Sequence, residues 1–224
     1  MDENQMAGIL AALERDGLEG LDDHFLTEYE VTAYHEAGHA VIQWLLGLQV
    51  IGLRVGNLTD KDGDEWGGQA ECSGNASVNN DEAGFLATLA GAVAEAMLVA
   101  SRDSKDGTIN SLAVEKDALS RLLSKRVFSR SVRAFKKSDL GMVQRMGRKY
   151  LPKGARVNNF VKAFGMPLVL FLVTLHWDLI SALAEELMQA GHMDGMQVDL
   201  FIRQHQISKM KQLDFGPVLN DDRT

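Results

Sequence analysis

Two histidines four residues apart, the first followed directly by a glutamate, constrain this chain more than any other feature. They are His35-Glu36-Ala37-Gly38-His39, inside Thr32-Ala-Tyr-His-Glu-Ala-Gly-His-Ala-Val-Ile42. On an α-helix, residues four apart share a face, so both imidazoles can reach one metal ion. Glu36 sits one position round, where its carboxylate can meet a metal-bound water rather than the metal. Zinc lowers the pKa of such a water toward neutrality, and the carboxylate can take its proton as it attacks a peptide carbonyl. The spacing alone also fits a pair of surface histidines on an amphipathic helix. Context argues against that reading: Val31, Tyr34, Val41, Ile42, Leu45 and Leu46 form an apolar stripe that predicts a helix over about 26–46, with Gly47 at its end. Gly38 costs this helix roughly 1 kcal/mol against alanine, which predicts close packing where its side chain is missing.

Zinc in catalytic sites takes three protein ligands and keeps a fourth position for water. The lone Cys72 excludes an internal disulfide and a cysteine-based zinc cluster. His24, His176, His192 and His205 lie in a loop, a late helix or the far end of the chain, so a carboxylate is the better third ligand. Asp60, Asp62, Asp64 and Glu71 have calcium-loop spacing, but Glu65 stands where the turn glycine belongs, and the stretch reads as an acidic hairpin tip.

The 224 residues suit one domain with appendages: an acidic extension over 1–25, a domain over 26–205 and a tail over 206–224. Hydrophobic residues make up 46% and prolines number 3, which points to a helix-rich core. Two strands are predicted, 48–55 and 66–72, then helices over about 79–100, 109–128 and 138–150, the last capped by Ser138. A long helical region runs to about residue 190, and glycines at 191 and 195 punctuate a turn before a short final helix. The apolar run Met166–Leu175 is about half the length of a membrane span and reads as a buried helix opened by Pro167. The acidic start lacks the basic region of a signal peptide. These features predict a soluble, cytoplasmic protein with no membrane span. No phosphate-binding P-loop string occurs.

The net charge of −8 is uneven. Residues 125–162 hold twelve Lys or Arg against Asp139 alone, a segment charge of +11 that leaves −19 for the rest. This is either a set of solvated helix faces or a surface for an anionic partner. Neither aromatic interleaving nor a nucleic-acid motif accompanies it, so the solvated faces are the better reading and nucleic acid is not the expected partner.

Three segments in this order resemble the peptidase domain of the FtsH-type zinc proteases, above all small stand-alone relatives without the ATPase module. They are the Thr32–Ile42 segment, Leu89-Ala-Gly-Ala-Val-Ala-Glu95, and Leu175-His-Trp-Asp-Leu-Ile-Ser-Ala-Leu-Ala-Glu-Glu-Leu-Met188 followed by Gly191-His-Met-Asp-Gly195. The resemblance spans about 29–202, and the first segment is its specific part. It implies a mainly α, zincin-like metallopeptidase domain with a small β-hairpin or sheet beside the active-site helix. It implies Zn2+ held by His35, His39 and an aspartate at a helix start, for which Asp139 in Ser-Asp-Leu-Gly is the match and Asp117 the alternative. Asp139 requires an insertion around 109–135; Asp117 does not. Glu95 is expected to hold an imidazole or the adjacent helix, and is a further alternative for the third ligand. Gly67, Gly68 and Gln69 would lie on a strand edge where an extended substrate pairs through its backbone; a glycine bulge at a hairpin corner explains the same pair of glycines. The implied activity is Glu36-assisted hydrolysis of unfolded or flexible polypeptides, delivered by a separate ATPase or other partner. A non-catalytic metal-binding or scaffold protein that works through residues 125–162 is the alternative, though structural zinc has no use for Glu36. Oligomeric state is left open.

Overall fold

Thr27, in extended conformation, accepts a hydrogen bond from the Glu30 N–H at 3.1 Å and starts the helix that carries both histidines, α1 (Glu28–Leu45). The computed structural model describes residues 27–59, 65–72, 80–104, 107–124, 139–151 and 156–212. The extension over 1–25, the acidic tip at Asp60–Asp64, Ser138 and the tail beyond 212 lie outside them, as do 125–138 and 152–155 of the basic segment.

After α1 the chain forms β1 (Val50–Thr59), β2 (Glu65–Cys72), α2 (Asn80–Asp103), α3 (Ser111–Ser124) and α4 (Asp139–Tyr150). Then follow α5 (Val157–Phe160), a π-helical turn (Val161–Gly165), α6 (Met166–Leu175), α7 (Trp177–Ala190), β3 (His192–Asp194) and α8 (Gly195–Gln212). The protein is mainly helical, with a three-stranded antiparallel sheet of order β2-β1-β3.

Helix α1 is the centre of the core. Ala33, Ala37, Ala40, Val41 and Ile42 are fully buried, and α2, where Leu89, Ala90, Val93 and Ala94 are buried too, packs along the Gly38 face. Small residues set how near the two helices come: a Cβ on Gly38 would lie 2.7 Å from the Ala94 Cβ and 2.9 Å from the Ala90 carbonyl. The close packing expected at Gly38 is thus helix against helix. The sheet covers another side of α1 through Leu53 and Val55 of β1, both buried.

The sheet departs from the expected hairpin by one strand. β3 pairs with β1 through Gly52–Asp194, Leu53–Met193 and Arg54–His192. Gly191, at φ 69°, ends α7 with its N–H on the Leu187 carbonyl at 2.8 Å and turns the chain into β3. Asp194 and Gln197 then exchange backbone-to-side-chain hydrogen bonds at 2.8 and 2.9 Å, a capping box that starts α8. That helix runs 18 residues, not the short piece expected.

The long helical region is also broken, at His176, whose backbone (φ −112°, ψ 20°) separates α6 from α7. The apolar run on α6 is not the buried helix its composition suggests. Met166, Val169 and Val173 face the core, while Leu168, Phe171 and Leu175 are exposed. Among the described residues, two helical stretches are long and apolar enough to cross a membrane: Glu82–Asp103, mostly buried in the core, and Val157–Leu175, only 28% buried.

Candidate metal centre

His35 and His39 project from successive turns of α1, with ring centroids 4.5 Å apart and planes nearly perpendicular. Their Nε2 atoms are 2.9 Å apart. Asp139, the first residue of α4, brings Oδ2 to 3.0 Å from Nε2 of His35 and Oδ1 to 3.4 Å from Nε2 of His39. Among the described residues, these three form a group whose ligand atoms all lie within 4.8 Å of one another.

The far side of each ring decides which nitrogen faces inward. Nδ1 of His39 is 2.7 Å from the Ala87 carbonyl, which can only accept, so this nitrogen carries the hydrogen. Nδ1 of His35 is 2.5 Å from Oε1 of Glu95, and a carboxylate likewise takes an N–H. In the neutral rings both Nε2 lone pairs therefore point at each other and at the Asp139 carboxylate. Three electron-rich atoms this close call for a positive charge between them. Tetrahedral ligands at 2.0–2.1 Å from an ion would be separated by about 3.4 Å, so the observed 2.9–3.4 Å needs only slight opening to hold a first-row divalent cation.

Burial pushes the Asp139 carboxyl up, but in the metal-free site with both imidazoles protonated, the charges of His39 and His35 and their N–H bonds outweigh that and hold it well below the usual carboxylate range. The group is thus poised to stay ionised.

Helix α2 supports the site at intervals of four residues. Ala87 takes the His39 hydrogen, Glu95 takes that of His35, and Gly91 lies between. A Cβ on Gly91 would stand 2.6 Å from Nε2 of His39 and from Cε1 of His35. Behind Glu95, Arg121 of α3 reaches Oε2 at 3.4 Å and is itself held by Asp117 at 2.7 Å. Burial works against the Arg121 charge, but the Asp117 hydrogen bond and charge overcome it and raise the guanidinium pKa.

Each residue weighed for the site has a definite place. His35, His39 and Asp139 converge. Asp117 stands apart from them, half-exposed and bound to Arg121. Glu95 meets the outward nitrogen of His35, away from the point of convergence, so it orients the ring. Glu36 is buried, and β2 lies against it: a Cβ on Gly68 would be 2.8 Å from Cγ and 3.0 Å from Oε1 of Glu36, and 2.6 Å from Cγ2 of Thr32. Gly68 thus lets the strand rest on α1. Gly67 and Gln69 are exposed on this outer strand of the sheet. The bulge expected of the glycine pair is on β1, where the register slips between Val55 and Leu58, opposite Gly67.

Gly91, Arg121 and the Ala87 carbonyl were not singled out from the sequence. Gly91 falls within the Leu89–Glu95 segment, and Arg121 left a trace in its four-residue spacing from Asp117. A scan against protein-family models finds none that matches this chain, and no curated protein matches it.

Proposed function

We propose that the chain is a zinc-dependent metallopeptidase of the FtsH type, with a zincin-like arrangement of its active-site helix. The observation that carries this reading is the convergence of His35, His39 and Asp139 beside a buried glutamate that lies against a sheet edge. Two imidazoles and one carboxylate are a donor set that suits zinc and leaves a position for water. When bound, zinc would acidify that water and polarise the scissile carbonyl.

The remaining steps belong to the protein. Glu95 and the Ala87 carbonyl hold the two rings by Nδ1, which in the neutral rings places the lone pair on the inward nitrogens, where it can bind an ion. Glu36 takes the proton from the attacking water at its carboxylate and returns it to the departing amine. An extended polypeptide adds to the outer edge of β2, the strand that Gly67 and Gly68 allow to rest on α1 beside Glu36. Recognition through the backbone reads shape more than sequence, which fits an unfolded segment or flexible tail. These 224 residues carry no P-loop string, so unfolding a folded substrate would require a separate ATPase.

Glu36→Gln tests the reading, because an amide cannot accept the proton. The variant should keep zinc and its circular dichroism spectrum while casein hydrolysis drops by about 100-fold or more. Activity within a few-fold of wild type would remove Glu36 as the base. Wild-type protein loaded with zinc that cleaves no unfolded substrate would return the metal to a structural or scaffold role.

A further inference from the structure

The outer face of α6 is apolar along its whole length. Phe164, Leu168, Phe171 and Leu175 are 66, 46, 62 and 58% exposed, and Phe160 continues the line at 36%. Steps of four, four, three and four residues put the five side chains on one helical stripe, about 22 Å long at 1.5 Å per residue. No charged residue occurs from Ala163 to Leu175. A helix with one face in water normally carries polar groups there, and a contiguous exposed apolar strip marks an interaction site.

The head of this stripe adjoins a cavity of about 410 Å³ between α4 and α5. Among the described residues, Arg148, Arg156 and Lys162 line it with Gln144, Asn158 and Asn159: three cations, three amides and no carboxylate. Lys162 lies in the segment that bears Phe160 and Phe164, so the cations and the stripe belong to one surface.

These two features select among partners. A nucleic acid or a soluble polyanion would engage the cations and leave the 22 Å stripe in water. A purely apolar protein groove would bury the stripe and leave three cations beside it without use. An anionic bilayer matches both, because an interfacial helix sinks its apolar side chains to the acyl boundary while flanking Lys and Arg meet phosphates. Spanning is not an option for α6, since Met166, Val169 and Val173 are fixed in the protein core.

We propose that the α5–α6 face docks on anionic phospholipid membrane, with Phe164, Leu168, Phe171 and Leu175 entering the acyl boundary and Arg148, Arg156 and Lys162 holding headgroup phosphates. Docking does not depend on the metal centre and goes beyond the peptidase reading. It would bring a protein of net charge −8 to a like-charged surface through a region where cations and apolar groups coincide.

The full chain should co-sediment with vesicles of phosphatidylcholine and phosphatidylglycerol, and at least 10-fold less with phosphatidylcholine alone. Phe164→Ser/Phe171→Ser should lose binding at least 10-fold, and Arg148→Glu/Lys162→Glu should do the same, each with wild-type metal content and circular dichroism. Failure to bind anionic vesicles, or equal binding to both lipid mixtures, would overturn the proposal. It would also fall if light scattering gave a wild-type oligomer that the Phe164→Ser/Phe171→Ser variant converts to monomers, for the stripe would then join copies of the chain. The comparison of lipid mixtures with wild-type protein decides the matter even where a variant does not fold.

Discussion

Glu95 and His35 face each other across the α1–α2 interface, Oε1 to Nδ1, at 2.5 Å and almost wholly buried. The pair sets both the tautomer and the tilt of a ring whose other nitrogen points at His39 and Asp139. Removing the carboxylate should leave the ligands in place but poorly aimed. Glu95→Ala is expected to weaken zinc binding about 10–100-fold, measured by competition with a chromophoric chelator. Arg121→Ala, one contact further out, should have a smaller effect in the same direction. Unchanged affinity in Glu95→Ala would mean that the helix alone orients His35.

The two aspartates considered as third ligand separate cleanly by mutation. Asp139→Ala should lose zinc by orders of magnitude, because two imidazoles leave the ion under-coordinated. Asp117→Ala frees Arg121 and should retain zinc within a few-fold. Metal content after dialysis distinguishes them, and the opposite pattern would transfer the role to Asp117.

Gly91 offers a steric test within a single helix. Alanine there would meet both imidazoles at 2.6 Å, and overpacking of this kind costs about 1–3 kcal/mol. Gly91→Ala should lower Tm and abolish zinc uptake together. Gly84→Ala is the control: its Cβ would meet only the terminal methyl of Met146 at 3.3 Å, and alanine is favoured in a helix by up to about 1 kcal/mol. Zinc uptake by Gly91→Ala at the wild-type level would show that the rings can move aside.

Acid should act on the metal-free protein through Asp139. Its folded pKa lies below that of an unfolded aspartate, so it binds fewer protons in the native state. The resulting stabilisation is fully present above about pH 4 and is lost as the pH falls through the lower folded value. Asp139→Asn should therefore flatten the acid limb of the stability curve, read from urea midpoints at successive pH values. An acid limb identical to wild type would remove Asp139 as its source.

How much of this was legible depended on whether the signal was local. The His-bearing helix announced itself through an apolar stripe and a terminal glycine. Asp139 was reached only through family resemblance, because nothing in Ser-Asp-Leu-Gly says that the helix start points at residues a hundred positions earlier. β3 has three residues, too few to show alternation, and exists because β1 offers it an edge. The burial of α6 was misjudged because hydropathy reports how apolar a segment is, whereas burial depends on what packs against each face. Arg121 was not singled out because its spacing from Asp117 is that of any surface ion pair on a helix, and only the fold turns it toward Glu95.

The four-residue rhythm of Ala87, Gly91 and Glu95 bears on which changes in length the chain can accept. One residue inserted among them would rotate everything beyond it by about 100°, replacing the ring acceptors and the glycine gap with unrelated side chains. The same insertion before Asn80 or after Asp103 would only alter a connection. Relatives of this chain should therefore vary freely in length on either side of α2 and keep the Ala87–Glu95 interval unaltered.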